Sequence, residues 1–136
     1  MTKKNICIVT EEFRPSFKGG IATWSTEIAN YFHSKDYNVR VFLKKRGGIK
    51  KSFEIKNFPY KIDLMRGRDW AYFKKWYVFL SIYKYLRSDH RPIIFSTNWE
   101  LSEGLVCYKK YFRFSLITIL HGLEVTRLKS KKYKKN

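Results

Sequence analysis

Short runs of consecutive apolar residues alternate along this chain with longer stretches in which apolar residues recur every three or four positions. The apolar runs are ICIV at 6–9, IIFS at 93–96 and LITIL at 116–120, and NVRVFL at 38–43 alternates before it turns apolar. Continuous apolar runs rich in β-branched residues are typical of strands that are buried on both faces of a sheet. Because strands and helices alternate, the pattern predicts an α/β fold with a doubly wound, mostly parallel sheet.

Three stretches with helical spacing predict three helices between these strands. The first begins at Gly20 and ends near Lys35, and its predicted buried stripe is Ile21, Trp24, Ile28, Ala29 and Phe32. The second spans Trp70–Arg87 with Asp69 as its N-cap. Its predicted apolar stripe is Phe73, Trp76, Phe79 or Leu80, Tyr83 and Leu86. Packing on the sheet is the favoured interpretation, and a helix lying on an anionic membrane is the alternative. The third helix spans Leu101–Tyr111.

Two shorter strands are predicted at Phe53–Phe58 and Lys61–Met65, after a basic turn at Lys44–Lys51. The 136 residues suffice for one domain, 1–136, with its own hydrophobic core. An apolar content of 44%, with 18% aromatic residues, excludes a disordered polar chain. We therefore expect a single folded domain.

The net charge of +18 favours encounters with nucleic acid, anionic lipid or a phosphorylated substrate, although many lysines could simply keep an aromatic-rich surface soluble. Cys7 and Cys107 lack the spacing of metal ligands, so we expect both to be buried and reduced. Neither a secretory signal nor a membrane-spanning run is present in the sequence. These features predict a cytoplasmic protein that is soluble or lies on a membrane surface.

Three segments follow predicted strands: Gly19-Gly20 after the first strand and its loop, Thr97–Glu100 after IIFS and His121–Glu124 after LITIL. In doubly wound sheets ligands bind in the crevice beyond the carboxyl ends of the strands, where these segments are expected to meet. The glycine pair at the start of a helix would let a phosphate or a sugar approach backbone amides, although a simple tight turn is the commoner role of such a pair. His121 is the histidine that directly follows a buried strand.

The segments EEFRPSFKGGIATWSTEIANYFHSKDYNVRVF, IIFSTNWELSEG and LITILHGLEVTR, in this order and spacing, resemble the N-terminal half of glycosyltransferase family 4. That family comprises retaining GT-B enzymes, which move a sugar from a nucleotide donor to an acceptor. The resemblance spans nearly the whole chain and is weakest between about Lys44 and Arg68. It implies that the sheet is the Rossmann-like, acceptor-side half of such an enzyme.

The resemblance also implies roles for particular residues. His121 would be the catalytic residue beside the transferred sugar, with a local hydrogen-bonding role as the alternative. The residues implied to bind substrate are Gly19, Gly20, Asn98, Glu100 and Gly122. Glu124 is expected to cap a following helix. A retaining transfer of this kind relies on orientation and fixed dipoles, so we interpret Glu11 and Glu12 as loop residues and not as an acid/base pair.

The implied function is transfer of a sugar from a nucleotide sugar to a glycan or a lipid-linked acceptor, in the synthesis of cell-surface polysaccharide. The nucleotide sugar is a substrate, and we expect neither a cofactor nor a metal. The second domain of the family, with its basic pair and E-x7-E element, has no counterpart in this sequence. We therefore expect the chain to be inactive alone, as a fragment, a truncated product or a subunit that needs a partner chain.

Two other classes of function are consistent with the sequence. A basic nucleic-acid-binding module fits the charge and the aromatic content, but no specific RNA- or DNA-binding motif is present, so we expect no specific nucleic-acid partner. A partner-dependent accessory domain is the other alternative. An exposed apolar surface on the isolated chain would favour the accessory domain.

Overall fold

A computed structural model describes residues 3–15, 18–44, 57–65, 74–88 and 91–121. In chain order its elements are β1 (Asn5–Thr10), α1 (Gly20–Ser34), β2 (Asn38–Lys44), β3 (Lys61–Met65), α2 (Lys74–Arg87), β4 (Ile93–Ser96), α3 (Trp99–Val106), a 3-10 helix (Cys107–Lys110) and β5 (Ser115–Thr118). The five strands form one sheet in the order β3-β2-β1-β4-β5. Every pairing is parallel. The predicted α/β class with a doubly wound parallel sheet is confirmed.

The first apolar run forms the central strand of this sheet. Ile8 of β1 is paired in register with Val41 of β2 on one side and with Phe95 of β4 on the other. The side chains of residues 6–9 are fully buried, as the continuous apolar run predicts. Burial of the aliphatic side chains among them, Ile6, Ile8 and Val9, contributes about 1.5–3 kcal/mol each to the folded state.

Helices cover both faces of the sheet and divide the core into two clusters. The cluster on the α1 side is Ile6, Ile8, Phe13, Ala29, Val39, Val41, Leu43, Tyr60 and Ile62. The cluster on the side of α2 and α3 is Cys7, Val9, Phe42, Met65, Val78, Ile82, Tyr85, Leu86, Ile94, Leu101 and Leu105. Successive residues of β1 enter opposite clusters because side chains alternate between the faces of a strand.

The buried stripe of α1 differs from the predicted one. Its buried residues are Ala22, Ser25, Thr26 and Ala29. Of the predicted stripe only Ala29 is fully buried, whereas the larger apolar residues of that stripe are partly exposed. Small side chains let the helix approach the sheet closely. The hydroxyls of Ser25 and Thr26 remain satisfied there because they donate to the carbonyls of Ile21 and Ala22 at 2.7 and 2.8 Å.

The second helix begins, in the described residues, at Lys74, and the predicted Asp69 cap lies outside those residues. Its buried residues include Val78, Ile82, Tyr85 and Leu86. The predicted stripe is confirmed at Leu86, which is buried, and was wrong at Tyr83, which is 37% exposed. Of the alternatives Phe79 and Leu80, Leu80 is 67% exposed. Aromatic and aliphatic residues lie all around this helix, so its spacing alone could not identify the face that packs on the sheet. None of the described helices is both long and apolar enough to cross a bilayer.

The predicted strand at Lys61–Met65 is confirmed as β3. The other one, Phe53–Phe58, lies mostly outside the described residues, and its last two residues, 57 and 58, are not in a strand. Most of the predicted basic turn also lies outside the described residues. Its first residue, Lys44, is instead the buried last residue of β2.

The third helix begins earlier than predicted, because Asn98 is its N-cap and Trp99 its first residue. The predicted polar turn at 97–100 is therefore wrong in its second half. The α-helix ends at Val106 and continues as the 3-10 helix up to Lys110. Cys107, predicted to be buried, is exposed there.

The last strand is shorter than the apolar run LITIL, and it is not buried. In β5, Ile117 is 41% exposed, and Leu120 just beyond the strand is 49% exposed. This strand forms the edge of the sheet in the described residues, and it pairs with β4 alone. The expectation of a strand buried on both faces was therefore wrong for β5.

Candidate functional site

The candidate site is the crevice at the carboxyl ends of β1 and β4, where the direction of strand addition reverses. From β1 the chain adds β2 and β3 on one side, and it then returns to add β4 and β5 on the other side. Backbone bonds join the neighbouring strand ends: Thr97 N donates to Val9 O at 3.1 Å, and Ile119 N donates to Ser96 O at 2.8 Å. Such a switch point is where open α/β sheets bind their ligands.

The N-terminus of α1 opens at this edge of the sheet. Gly19 is the N-cap, with φ −75° and ψ 173°, and no side-chain cap accompanies it in the described residues. A Cβ atom added at Gly19 would lie 3.2 Å from Glu12 Oε2, whereas one added at Gly20 would meet open space. Both glycines are exposed. The positive end of the helix dipole is therefore accessible at Gly20, and packing does not require a glycine there.

Arg14 belongs to the same part of the site, although the sequence analysis did not select it. Its backbone N–H donates to Thr26 Oγ1 at 3.1 Å, and its Nη2 donates to Thr23 Oγ1 at 2.7 Å. The Thr23 hydroxyl in turn donates to the Gly19 carbonyl at 3.1 Å. These bonds hold the loop after β1 against the first turns of α1 and bring a guanidinium beside the helix N-terminus.

Three buried hydroxyls form the floor of the crevice. Thr97 Oγ1 donates to Thr10 Oγ1 at 3.1 Å, and Ser25 Oγ lies 3.2 Å from Thr10 Oγ1. Thr10 also donates to the Glu12 carbonyl at 2.9 Å. The three side chains come from β1, α1 and the end of β4, so the cluster fixes these elements relative to one another. The sequence feature that could have indicated this cluster is a threonine at the end of one predicted strand, Thr10, and a second threonine just after another, Thr97.

An ion pair from β2 lies at the same edge of the sheet. Lys44 Nζ is 3.4 Å from Glu11 Oε1, and the two side chains are 9% and 18% exposed. A charge buried to this degree needs a partner, because desolvation penalises an isolated ion. Both residues were predicted to lie in loops or turns, since sequence distance gives no indication that the ends of β1 and β2 are adjacent.

Asn98 and Glu100 both lie at the carboxyl end of β4. Asn98 Oδ1 accepts a hydrogen bond from Leu101 N at 2.9 Å, which caps α3. The Asn98 carbonyl accepts from the hydroxyls of Ser96 and Ser102 at 2.9 and 3.1 Å. Glu100 is exposed in the first turn of α3. Asn98 thus caps α3 at the carboxyl end of β4, and the Glu100 side chain is exposed to solvent beside it.

His121 follows the end of β5 by three residues and is the last described residue. Its side chain is half-buried, and its Nε2 atom is inaccessible to solvent. Because β5 is parallel to β4, His121 lies at the same edge of the sheet as Asn98 and Gly19. The predicted Gly122 and Glu124 lie outside the described residues.

Within the described ranges, no three histidine, cysteine, aspartate or glutamate side chains are grouped so that they could hold a metal ion. Comparisons with protein-family models, with curated proteins and with solved structures find no match for this chain. The class that fold and site define is an α/β domain with a five-stranded parallel sheet and a polar crevice at its switch point.

Proposed function

We propose that this chain is the acceptor-side half of a retaining GT-B glycosyltransferase and that the crevice at the switch point faces its nucleotide-sugar donor and its acceptor. The observation that carries the proposal is the common position of the predicted residues. Gly19 and Gly20, Asn98 and His121 follow strands β1, β4 and β5, which are adjacent and parallel, so all four lie at one edge of the sheet. A donor diphosphate would bind at the exposed N-terminus of α1.

The charges around the α1 N-terminus support an anionic ligand. The Arg14 guanidinium lies within hydrogen-bonding distance of Thr23, one turn into the helix. An arginine and a helix N-terminus together can bind several oxygens of one phosphate group. In this proposal the backbone amides and Arg14 stabilise the charge that develops on the departing diphosphate, and His121 contacts the sugar.

The rigid floor of the crevice supports the same proposal. Sugar transfer with retention needs donor and acceptor held in one orientation, and the protein contributes mainly this positioning. The hydroxyls of Thr10, Ser25 and Thr97 are buried; Thr97 donates to Thr10, and Ser25 Oγ lies 3.2 Å from Thr10 Oγ1, so this cluster joins the elements that carry Gly19 and Asn98. Asn98 and Glu100, on the α3 side, would then contact the acceptor, which we propose to be a glycan or a lipid-linked sugar of cell-surface polysaccharide.

The proposal includes a cytoplasmic location with peripheral contact to the membrane. The net charge of +18 would attract the chain to an anionic lipid surface, where a lipid-linked acceptor is found. Catalysis would also require a second domain or a partner chain that completes the donor site, with the donor diphosphate bound at the N-terminus of α1.

The donor site can be tested by following backbone amide signals in NMR spectra during titration with UDP, GDP and their sugar conjugates. We expect at least one of them to shift the amides of Gly20, Ile21 and His121 in a saturable way. Gly20→Asp should weaken this binding by about tenfold or more, because a carboxylate then occupies the anion site. The fold should remain intact, since an acidic residue at a helix N-terminus is favourable.

Ser34→Asp is the matched control, because it makes the same change in net charge at the far end of α1, about 21 Å away. It should bind the nucleotide as the unmodified chain does. Binding that is absent for all nucleotides tested, or that is unaffected by Gly20→Asp, would contradict the proposal.

One observation favours a second candidate, a domain that functions only with a partner chain. Ile117 and Leu120 of the β5 edge and Trp99 at the start of α3 are 41%, 49% and 44% exposed. Sedimentation of the isolated chain tests this candidate. Concentration-dependent self-association that is abolished by Ile117→Lys would favour it, and a monomer at all concentrations would count against it.

A further inference from the structure

A small basic cleft lies between the amino-terminal ends of β4 and β5, at the opposite edge of the sheet from the crevice. Its volume is about 400 Å³. The residues that line it are Arg91, Lys109, Phe112, Arg113, Phe114 and Ser115. Three of these six side chains are cationic and none is acidic.

The aromatic walls of this cleft are fixed by the core. Phe112 and Phe114 pack against the cluster beneath α2 and α3. The Phe112 ring also meets the Tyr83 ring edge-on, with 5.7 Å between the ring centroids. Ser115 N donates to Pro92 O at 3.1 Å, which joins the starts of the two strands. The exposed basic side chains are thus attached to a rigid frame.

Arg91 has an unusual backbone conformation at one side of the cleft. Its φ is 40°, in the left-handed region, although it is not a glycine and it precedes Pro92. A residue before proline strongly favours an extended conformation, so this geometry is strained. Strained residues of this kind concentrate at ligand sites, where the surrounding structure holds them in place. The strain is a second indication, independent of charge, that the cleft has a function.

We propose that this cleft binds a phosphate group, carried either by a soluble phosphate compound or by the headgroup of an anionic phospholipid. The guanidinium groups of Arg91 and Arg113 match two phosphate oxygens each, and Lys109 adds a compact charge. Tyr111, 77% exposed on the same connection, would contact the organic part of the ligand. The cleft lies at the opposite edge of the sheet from the crevice, so phosphate binding there does not depend on the proposed function.

A larger cavity lies at the same edge of the sheet. That cavity, of about 750 Å³, lies beside β1, β2 and β3, and its lining includes Lys3, Arg40 and Asp36. Lys3 is paired there with Asp36 at 2.5 Å, and Arg40 with Asp63 at 2.6 Å. Acidic partners therefore offset the positive charge in the larger cavity.

The test is an NMR titration of the chain with two probes, inorganic phosphate and dihexanoyl phosphatidylglycerol below its micelle concentration. Sodium chloride at equal ionic strength serves as the reference. We expect saturable shifts of the amides of Arg91, Lys109, Arg113 and Ser115. Tighter binding of phosphatidylglycerol identifies a lipid headgroup as the ligand, and equal or tighter binding of inorganic phosphate identifies a soluble ligand.

The double variant Lys109→Gln with Arg113→Gln should weaken binding by about tenfold or more, because it removes two charge-assisted contacts. The matched control, Lys35→Gln with Lys84→Gln, removes the same charge from exposed sites outside the cleft and should change the affinity less than twofold. Absence of saturable shifts with both probes would overturn the proposal. Equal weakening by the two double variants would overturn it as well, since net charge alone would then explain the binding.

Discussion

The hydroxyl of Thr97, just beyond β4, donates a hydrogen bond of 3.1 Å to the hydroxyl of Thr10, the last residue of β1. The two residues are 87 positions apart in sequence, and their exposed fractions are 1% and 0%. Their bond joins the two strand ends between which the direction of strand addition reverses. The floor of the crevice is therefore made of buried hydroxyls that join the ends of β1 and β4.

The first prediction concerns this bond. Thr10→Val should lower the free energy of unfolding by about 1–3 kcal/mol, because it removes the acceptor used by the Thr97 hydroxyl while keeping the shape of the side chain. Urea unfolding followed by circular dichroism measures the change. Ser34→Ala, which removes an exposed hydroxyl from α1, should cost less than about 0.5 kcal/mol. Equal stability of Thr10→Val and the unmodified chain would show that the hydroxyl cluster is not stabilising.

The second prediction concerns the role of Asn98 as the N-cap of α3. Asn98→Ala should cost about 1 kcal/mol, because Leu101 N loses the oxygen that caps α3. Asn98→Asp should restore the stability, since a carboxylate oxygen can accept the same bond and is favourable at a helix N-terminus. Thermal unfolding measures both. If the aspartate variant is as unstable as the alanine variant, the amide contributes through contacts other than the cap.

The third prediction concerns the two thiols. Burial raises the pKa of the Cys7 thiol well above its ordinary range, so very little thiolate forms there near neutral pH. Cys107 is exposed. In the native chain at pH 8, a thiol reagent should modify one cysteine quickly, and in urea it should modify two. Cys107→Ser should abolish the fast reaction. Fast modification that persists in this variant would show that β1 opens readily.

The fourth prediction is a pH dependence that arises from Tyr60. Burial raises the pKa of Tyr60 to about 12, above its ordinary value of 10.0. The folded chain therefore keeps this proton while the unfolded chain loses it, and the resulting stability, present below pH 10, is lost as the pH rises towards 12. Tyr60→Phe should be slightly less stable at neutral pH, because Tyr60 donates to Asn30 Oδ1 at 2.9 Å.

The measurement for Tyr60 is the difference in unfolding free energy between the two chains across the alkaline range. This difference should shrink from pH 9 to pH 12, since the variant has no phenol to ionise. Other groups that titrate in this range are common to both chains and cancel. A difference that stays constant up to pH 12 would contradict the raised pKa.

Local sequence was sufficient to predict most of the strands and their parallel orientation in the sheet. The run at residues 6–9 is buried as predicted, and β3 has the predicted bounds, because a short apolar segment between turn residues has few other ways to bury its side chains. Helical spacing likewise gave the end of α1 to within one residue. The edge of the sheet that carries Gly19, Asn98 and His121 followed from parallel pairing alone.

Local sequence was not sufficient for the faces of the helices. Leu80 and Tyr83 fit the apolar period of α2 as well as Ile82 and Tyr85 do, yet the first pair is exposed and the second pair is buried. In α1 the buried positions include Ser25 and Thr26, whose hydroxyls are satisfied by the helix itself. Which face packs on the sheet depends on the shape of the neighbouring strands, and hydropathy does not encode that shape.

The sequence by itself thus determined the alternation of strands and helices, the parallel sheet and the edge at which a ligand would bind, since each of these follows from periodicity and chain order. Only the tertiary structure decided the contacts between distant residues: the hydroxyl bond from Thr97 to Thr10, the ion pair of Lys44 with Glu11, and the basic cleft around Arg113. The physical reason is that such contacts depend on which strand ends become neighbours. The order of the strands in the sheet decides which strand ends are neighbours, and no local sequence pattern predicts that order.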